Sequence, residues 1–425
     1  MTYIEQLFKT ELGYVVLLFS LFVVPRVLQR WRLPTAITNF ALGGIAGIGF
    51  GLFHDDATLH LLSTFGIVAL FLFAGLEVEV DDLRRGARVI SQHLVLRVAM
   101  LLLVALAAQY FMQFNSRTAA LWALALVIPS TGFILDSLAS FGLSKDEAYW
   151  VKSKAIATEL LALGVLFVVL QSTSVTRLLL ASLALVTLIA ILPPVFRLFA
   201  VWVVPYAPKS EFAFLVMMAV VVAYATRQLG AYYLVGAFLV GIAARRFRQQ
   251  LPAVASDRML HAVEVFASFF APFYFFVAGT NLRQEDFTIR SVLIGLAITA
   301  LLLPFRLAAV VLQRRMALKE ATMQSFRVAV PMLPTLIFTL VIAEILRDRF
   351  ALTPELFGAL IVYAVTNTTL PGLILRTQPP DYVSPELQDS DRVIELLPDL
   401  ASSKGERQDA GSGPTGSVDA PGNTV

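Results

Sequence analysis

Apolar residues in this chain come in long unbroken runs, not at the period-two or three-to-four spacing of a half-buried strand or helix. Thirteen runs follow one another, at roughly 12–30, 34–53, 58–79, 89–113, 117–140, 147–171, 176–203, 210–227, 231–246, 260–281, 290–313, 320–346 and 353–376. A helix needs about 20 apolar residues to cross the hydrocarbon of a bilayer. The pattern therefore predicts an all-α polytopic membrane protein, with the eighth and ninth runs the shortest. From about Thr377 the character changes to Pro, Gly, Ser and Asp. Such a segment cannot bury enough apolar surface to fold alone. The expected organisation is a membrane domain over 1–376 and a disordered cytoplasmic tail over 377–425.

The polar loops between the runs alternate in charge. One set carries Arg26, Arg30 and Arg32; Arg84, Arg85 and Arg88; Lys145, Lys152 and Lys154; Arg197 and Lys209; Arg245, Arg246, Arg248 and Arg258; and Arg314, Arg315 and Lys319. The other set holds one or two bases each, or acids such as Asp55 and Asp56. By the positive-inside rule the first set faces the cytoplasm. With an odd number of spans, the N-terminus then lies outside and the C-terminus inside the cell membrane.

Composition agrees: hydrophobic residues make up 58 % of the chain and charged residues 15 %. The mean hydropathy is +0.76. The net charge of +3 is spread over short basic clusters, so a nucleic-acid partner is not expected and lipid is. The absence of cysteine excludes disulfide and thiolate chemistry. The first run lacks a basic leader and a small-residue cleavage site, and is read as a retained helix.

Two runs are interrupted at their centres. The fifth reads LALVIPSTGFILDSL, with Pro129, Ser130, Thr131 and Gly132 in succession; the twelfth reads FRVAVPMLPTLIFTLVIAE, with Pro331 and Pro334 before Thr335. Proline removes a backbone donor and clashes with the preceding turn, so each helix should unwind there. A simple kink is one reading. The other is a pair of broken helices whose half-helix ends and hydroxyls build a transport site at the midplane. The seven-span separation of the pair favours the second.

Two deep charges stand out. Glu159 sits near the middle of the sixth run, and Arg306 in the middle of the eleventh, LLLPFRLAAVV. An ionisable group at bilayer depth is costly and marks an ion path or a partner charge by default. Burial favours the protonated acid, so a proton and a monovalent cation can compete for Glu159. The competing structural reading is an ion pair that fixes helix packing, and Arg306 could also snorkel towards the basic side. The four histidines, His54, His60, His93 and His261, lie near run ends and form no spaced ligand pair. Gly43, Gly47 and Gly51 make a small-residue face in the second run, read as close packing within the chain.

Four stretches together resemble the monovalent cation:proton antiporter superfamily, in the branch of Kef-type and Nap-type exchangers. They are GIVALFLFAGLEVEVDDLRR, the broken IPSTGFIL, LVGAFLVGIAA and FAPFYFFVAGTNL. The resemblance implies thirteen helices as inverted repeats, with two crossed broken helices in a mobile core. It also implies a second, scaffold domain that makes a homodimer, and alternating access. By position, Glu159 matches the ion-binding aspartate, Thr158 the polar residue before it, and Arg306 the basic residue of the eleventh span. Glutamate in place of aspartate leaves the ion preference open. Thr158 in place of a second acid leaves one carboxylate, and the segment after 376 is not expected to form the nucleotide-binding domain of Kef-type proteins.

The reading is a secondary transporter exchanging Na⁺ or K⁺ for H⁺, electroneutral because one carboxylate carries both. Glu159 would hold the cation or the proton, Thr131, Thr158 and Ser130 would add oxygens, and Arg306 would compensate the ionised acid. No cofactor is expected. The alternatives are an ion sensor that does not transport and an organic-anion carrier using Arg306. A membrane enzyme is disfavoured, since no nucleophile elbow, metal-ligand pair or acid dyad is evident.

Overall fold

Five helix starts are written locally in this sequence, by an oxygen-bearing residue that bonds a free N–H of the first turn. The computed structural model describes residues 11–207, 210–229, 233–246 and 257–375. Its helices are α1 Glu11–Leu28, α2 Thr35–Gly44, α3 Ala57–Leu76, α4 Val80–Arg85, α5 Ala87–Met112, α6 Ser116–Val127, α7 Thr131–Ser137 and α8 Lys145–Gln171. They continue with α9 Val175–Trp202, α10 Glu211–Gln228, α11 Tyr233–Arg246, α12 Asp257–Thr280, α13 Ile289–Leu318, α14 Thr322–Ala329, α15 Leu336–Phe350 and α16 Pro354–Ile374. Asp56, Asn115, Ser174 and Thr288 cap α3, α6, α9 and α13 through side-chain oxygens. Ser144 and Glu147 form a reciprocal capping box at the start of α8. There are no strands among the described residues.

Ten of these helical stretches are long and apolar enough to cross a membrane, and the bent pair 322–332 and 336–350 makes an eleventh. Two further apolar helices, Thr35–Gly49 and Tyr233–Arg245, are shorter. The second expected span is thus one of the short ones. Its last turn is a π-turn over Ile45–Gly49, and Gly51 ends it at φ +62°, a conformation suited to glycine. The eighth reaches 18 residues. The expected tail, and the side chains of Lys209, Arg246, Arg248 and Arg258, lie outside the described residues.

The helices pack as two bundles. In one, α3 lies against α11 and α12, α12 also packs on α2, and α10 on α11. In the other, α13 packs on α16, α6 on α5 and α15, and α15 on α16. Contacts between the bundles are sparse, chiefly α3 with α7 and α9 with α8 and α11. Small residues set the first bundle. A Cβ on Gly66 would lie 2.4 Å from the Phe270 carbonyl oxygen, and one on Gly75 2.3 Å from that of Phe238. Only glycine lets those backbones approach so closely. Gly43 and Gly47 do the same for α2 against Phe276 and Thr280, whereas Gly51 faces open space. The three-glycine face therefore reduces to two packing positions and a helix terminator.

Candidate functional site

Both interrupted helices are broken where their prolines fall. In the first, Ile128 and Ser130 are extended between α6 and α7. In the second, α14 tightens into a 3₁₀ turn over Val330–Met332, and α15 leaves at 43° to it. The breaks meet. The Ser130 N–H donates to the Pro334 carbonyl at 2.7 Å. The Phe338 N–H, in the first turn of α15, donates to the Ser130 hydroxyl at 3.2 Å. Thr339 Oγ1 donates to the Ala125 carbonyl at 2.7 Å. Backbone freed by proline in one helix is thus satisfied by the other, which is how irregular backbone survives at membrane depth.

Glu159 lies beside this crossing, 2 % exposed. It lines a narrow crevice with Ser130, Thr131 and Gly132 of the first break, Ile337 and Phe338 of α15, and Leu70, Phe71 and Ala74 of α3. The crevice therefore sits where the two bundles touch. About 10 Å³ of it can hold the centre of a water-sized body, the room of one water or one small bare ion. The Thr131 hydroxyl donates to the Ala155 carbonyl at 3.0 Å, while its oxygen and N–H face the Glu159 carboxylate. Glu159 Oε2 has no hydrogen-bond partner among the described residues. A buried carboxylate oxygen without a donor is unstable as it stands. A proton or a cation would satisfy it, and the polar side chains beside it in the crevice, Ser130 and Thr131, carry hydroxyl oxygens, the kind of atom that suits hard cations.

The other expected residues fall elsewhere. Thr158 is fully buried but turned away from the crevice, donating to the Lys154 carbonyl at 2.7 Å and facing His93 Nε2 at 3.2 Å. Thr335 is fully buried at the second break, its hydroxyl unpartnered among the described residues. Pro129 precedes Ser130 in the first break, and Pro331 lies in the 3₁₀ turn of the second. Arg306 is 1 % exposed and, among the described residues, makes no ion pair with Glu159. It donates to the Met332 carbonyl at 3.0 Å and to Tyr363 Oη at 2.9 Å, and Tyr363 Oη donates in turn to the Leu126 carbonyl. Its guanidinium therefore caps the C-terminal end of the half-helix ahead of the second break, where unpaired carbonyls carry partial negative charge.

The expectation of a single deep base is corrected. Arg97, Lys154 and Arg314 are as buried as Arg306, at 1 %, 0 % and 1 % exposure. Lys154 Nζ donates to Gln313 Oε1 at 2.7 Å, joining α8 to α13. Arg314 pairs with Glu320 at 2.7 Å. His93, near a helix end by sequence, is fully buried. The sequence signal for Arg97 was available, since it stands inside the apolar run 89–113. Polar Gln92 and His93 upstream made it look like the edge of the span.

A family model described as "Sodium/hydrogen exchanger, transmembrane" matches residues 16–377. A probable Na⁺/H⁺ antiporter of Methanocaldococcus jannaschii is 24 % identical over 386 residues, covering 85 % of this chain and 95 % of the relative. Among solved structures, the sodium proton antiporter MjNhaP1 of the same organism at pH 8 superposes with a TM-score of 0.63 at 14 % identity, over 86 % of this chain and 95 % of that one. An electron-microscopy structure of MjNhaP1 gives a TM-score of 0.62 at 15 % identity, over 88 % and 96 %.

Proposed function

The chain belongs to the transmembrane sodium/hydrogen exchanger family, and from that premise we propose that it exchanges a monovalent cation for H⁺ at Glu159. The observation that carries this reading is the unpartnered, buried Glu159 oxygen in a one-ion crevice at the meeting of two broken helices. Thr131, Ser130 and carbonyls of the break complete the cation's oxygen shell. When the cation leaves, a proton takes its place on the carboxylate, so the two ions are bound alternately. One carboxylate then carries one charge in either loaded state, and the exchange is electroneutral. Sparse contact between the bundles supports alternating access, with the broken-helix bundle moving against the glycine-packed one. The exchange unit is residues 1–376, working as a homodimer in the cell membrane with its basic loops in the cytoplasm. Na⁺ is the cation named for the relatives; K⁺ remains the other candidate for a glutamate site.

The organic-anion reading is weakened by Arg306. Two of its three nitrogens are directed to Met332 and Tyr363 instead of the crevice. Reconstituted protein tested for pH-dye response to Li⁺, Na⁺ and K⁺ in turn decides the cation. A response to at least one supports exchange, and silence to all three rejects it.

A further inference from the structure

Each broken helix has a buried arginine on the span before it. Arg306 on α13 donates to Met332 at the end of the first half of the second broken helix. Arg97 on α5 donates to Val127, the last residue of the first half of the first, at 3.2 Å. The two also converge. Tyr363, which accepts from Arg306, donates to Leu126, the residue before the one that Arg97 holds. Neither arginine makes an ion pair among the described residues.

Charge counting then matters. A half-helix C-terminus supplies about half a unit of negative charge. Two such ends offset roughly one of the two guanidinium charges. The surplus is positive. The charged and titratable groups around Arg97 are His93 on its own helix, Lys154 on α8, Arg306 on α13 and Tyr363 on α16. None of these is a carboxylic acid. The walls of the crevice from α3, α7 and α15 bring no titratable group among the described residues. Among the described residues that line the crevice, Glu159 is the one acid.

We propose that Arg97 is a second charge-positioning residue of the exchange site, acting with Arg306 from the equivalent place in the other half of the fold to keep Glu159 ionised for the incoming cation. This rests on Glu159 being the exchange site. Arg97 fixes the carbonyl end of α6, three residues before Ser130, and so holds the first break in register with the second. Its charge also favours the ionised carboxylate over the protonated one. Losing that charge leaves the proton a stronger competitor.

The test is a pH–activity series on reconstituted parent, Arg97→Gln, Arg97→Lys, Arg306→Gln and Glu159→Gln, with apparent cation KM and maximal rate measured separately. Arg97→Gln should move the profile to higher pH by about one unit and raise KM at neutral pH about tenfold, with a smaller change in maximal rate. Arg306→Gln should move the same way, and Arg97→Lys should stay near the parent because a positive charge remains. An unmoved profile and KM in Arg97→Gln, with Glu159→Gln silent, overturns the role of Arg97 and leaves the site intact. Failure of both Arg97 variants to give inserted protein also overturns it, since the residue would then serve packing. Full exchange in Glu159→Gln would instead remove the site on which the role depends.

Discussion

At Arg306 the direction of an effect follows from charge alone. The guanidinium favours an ionised acid in the same low-dielectric centre. Arg306→Gln should therefore shift the exchange profile to higher pH, or lower activity at neutral pH. Arg306→Lys should be milder, because the charge survives while the fork holding Met332 and Tyr363 together is lost. An unchanged pH profile in Arg306→Gln would leave it a packing role. Glu159 was legible because it is an isolated acid within an apolar run, and such groups are expensive enough to need a reason. Arg97 and Lys154 were less legible. Depth in sequence is judged from the ends of a run, and both stand near polar neighbours at the start of theirs. Arg97 meets the Val127 carbonyl of α6, and Lys154 meets Gln313 of α13, more than 150 residues away in the chain. Such contacts have no signature in either segment alone.

Among the elements, the breaks themselves were readable from Pro129 and from Pro331 and Pro334, since proline disrupts a helix locally. What the breaks do to each other was not. Thr335 stands at the N-cap of α15 but makes no capping bond. Ser130, from the other broken helix, receives the Phe338 N–H in its place. Ser130→Ala should leave that buried donor unsatisfied, at a cost of about 1–3 kcal/mol. Thermal unfolding in detergent reads this as a lowered midpoint, and Ser130→Thr should recover part of it. A midpoint equal to the parent's in Ser130→Ala would mean that the crossing is held by packing and by the Ser130–Pro334 backbone bond. The close approach of α3 to α11 and α12 was likewise only half visible. Glycines were apparent in GIVALFLFAGLEV, but nothing in that run says which helix they meet.

Across the whole molecule, the ion pair of Glu77 and Lys152 joins α3 in one bundle to α8 in the other. Lys152 precedes Glu159 by seven residues, two turns or about 10 Å along the helix. Glu77 follows Leu70, which lines the crevice, by the same interval. The pair thus bridges the bundles on one side of the site. If the bundles move to expose Glu159 alternately, this contact must part in one of the two states. The native chain has no cysteine. Glu77→Cys with Lys152→Cys therefore gives a clean pair for a short thiol cross-linker. Cross-linking should arrest exchange, and reduction of a cleavable linker should restore it; exchange at the uncross-linked rate in fully linked protein would contradict bundle movement. Stoichiometry is a property of the same scale. With one carboxylate alternating between proton and cation, a potential imposed by valinomycin and a K⁺ gradient should leave Na⁺/H⁺ exchange rates unchanged. Marked acceleration would require a second titrating group to move with the core.

The most direct measurement is cation-driven proton flux in proteoliposomes holding equal amounts of parent and Glu159→Gln, with insertion and thermal stability checked in both. The substitution keeps shape and hydrogen-bonding capacity but cannot carry a negative charge at the crevice. Loss of flux to the level of empty liposomes, with a folded and inserted variant, is the predicted result. Coupled exchange in Glu159→Gln at a substantial fraction of the parent rate would contradict the assignment of the ion site.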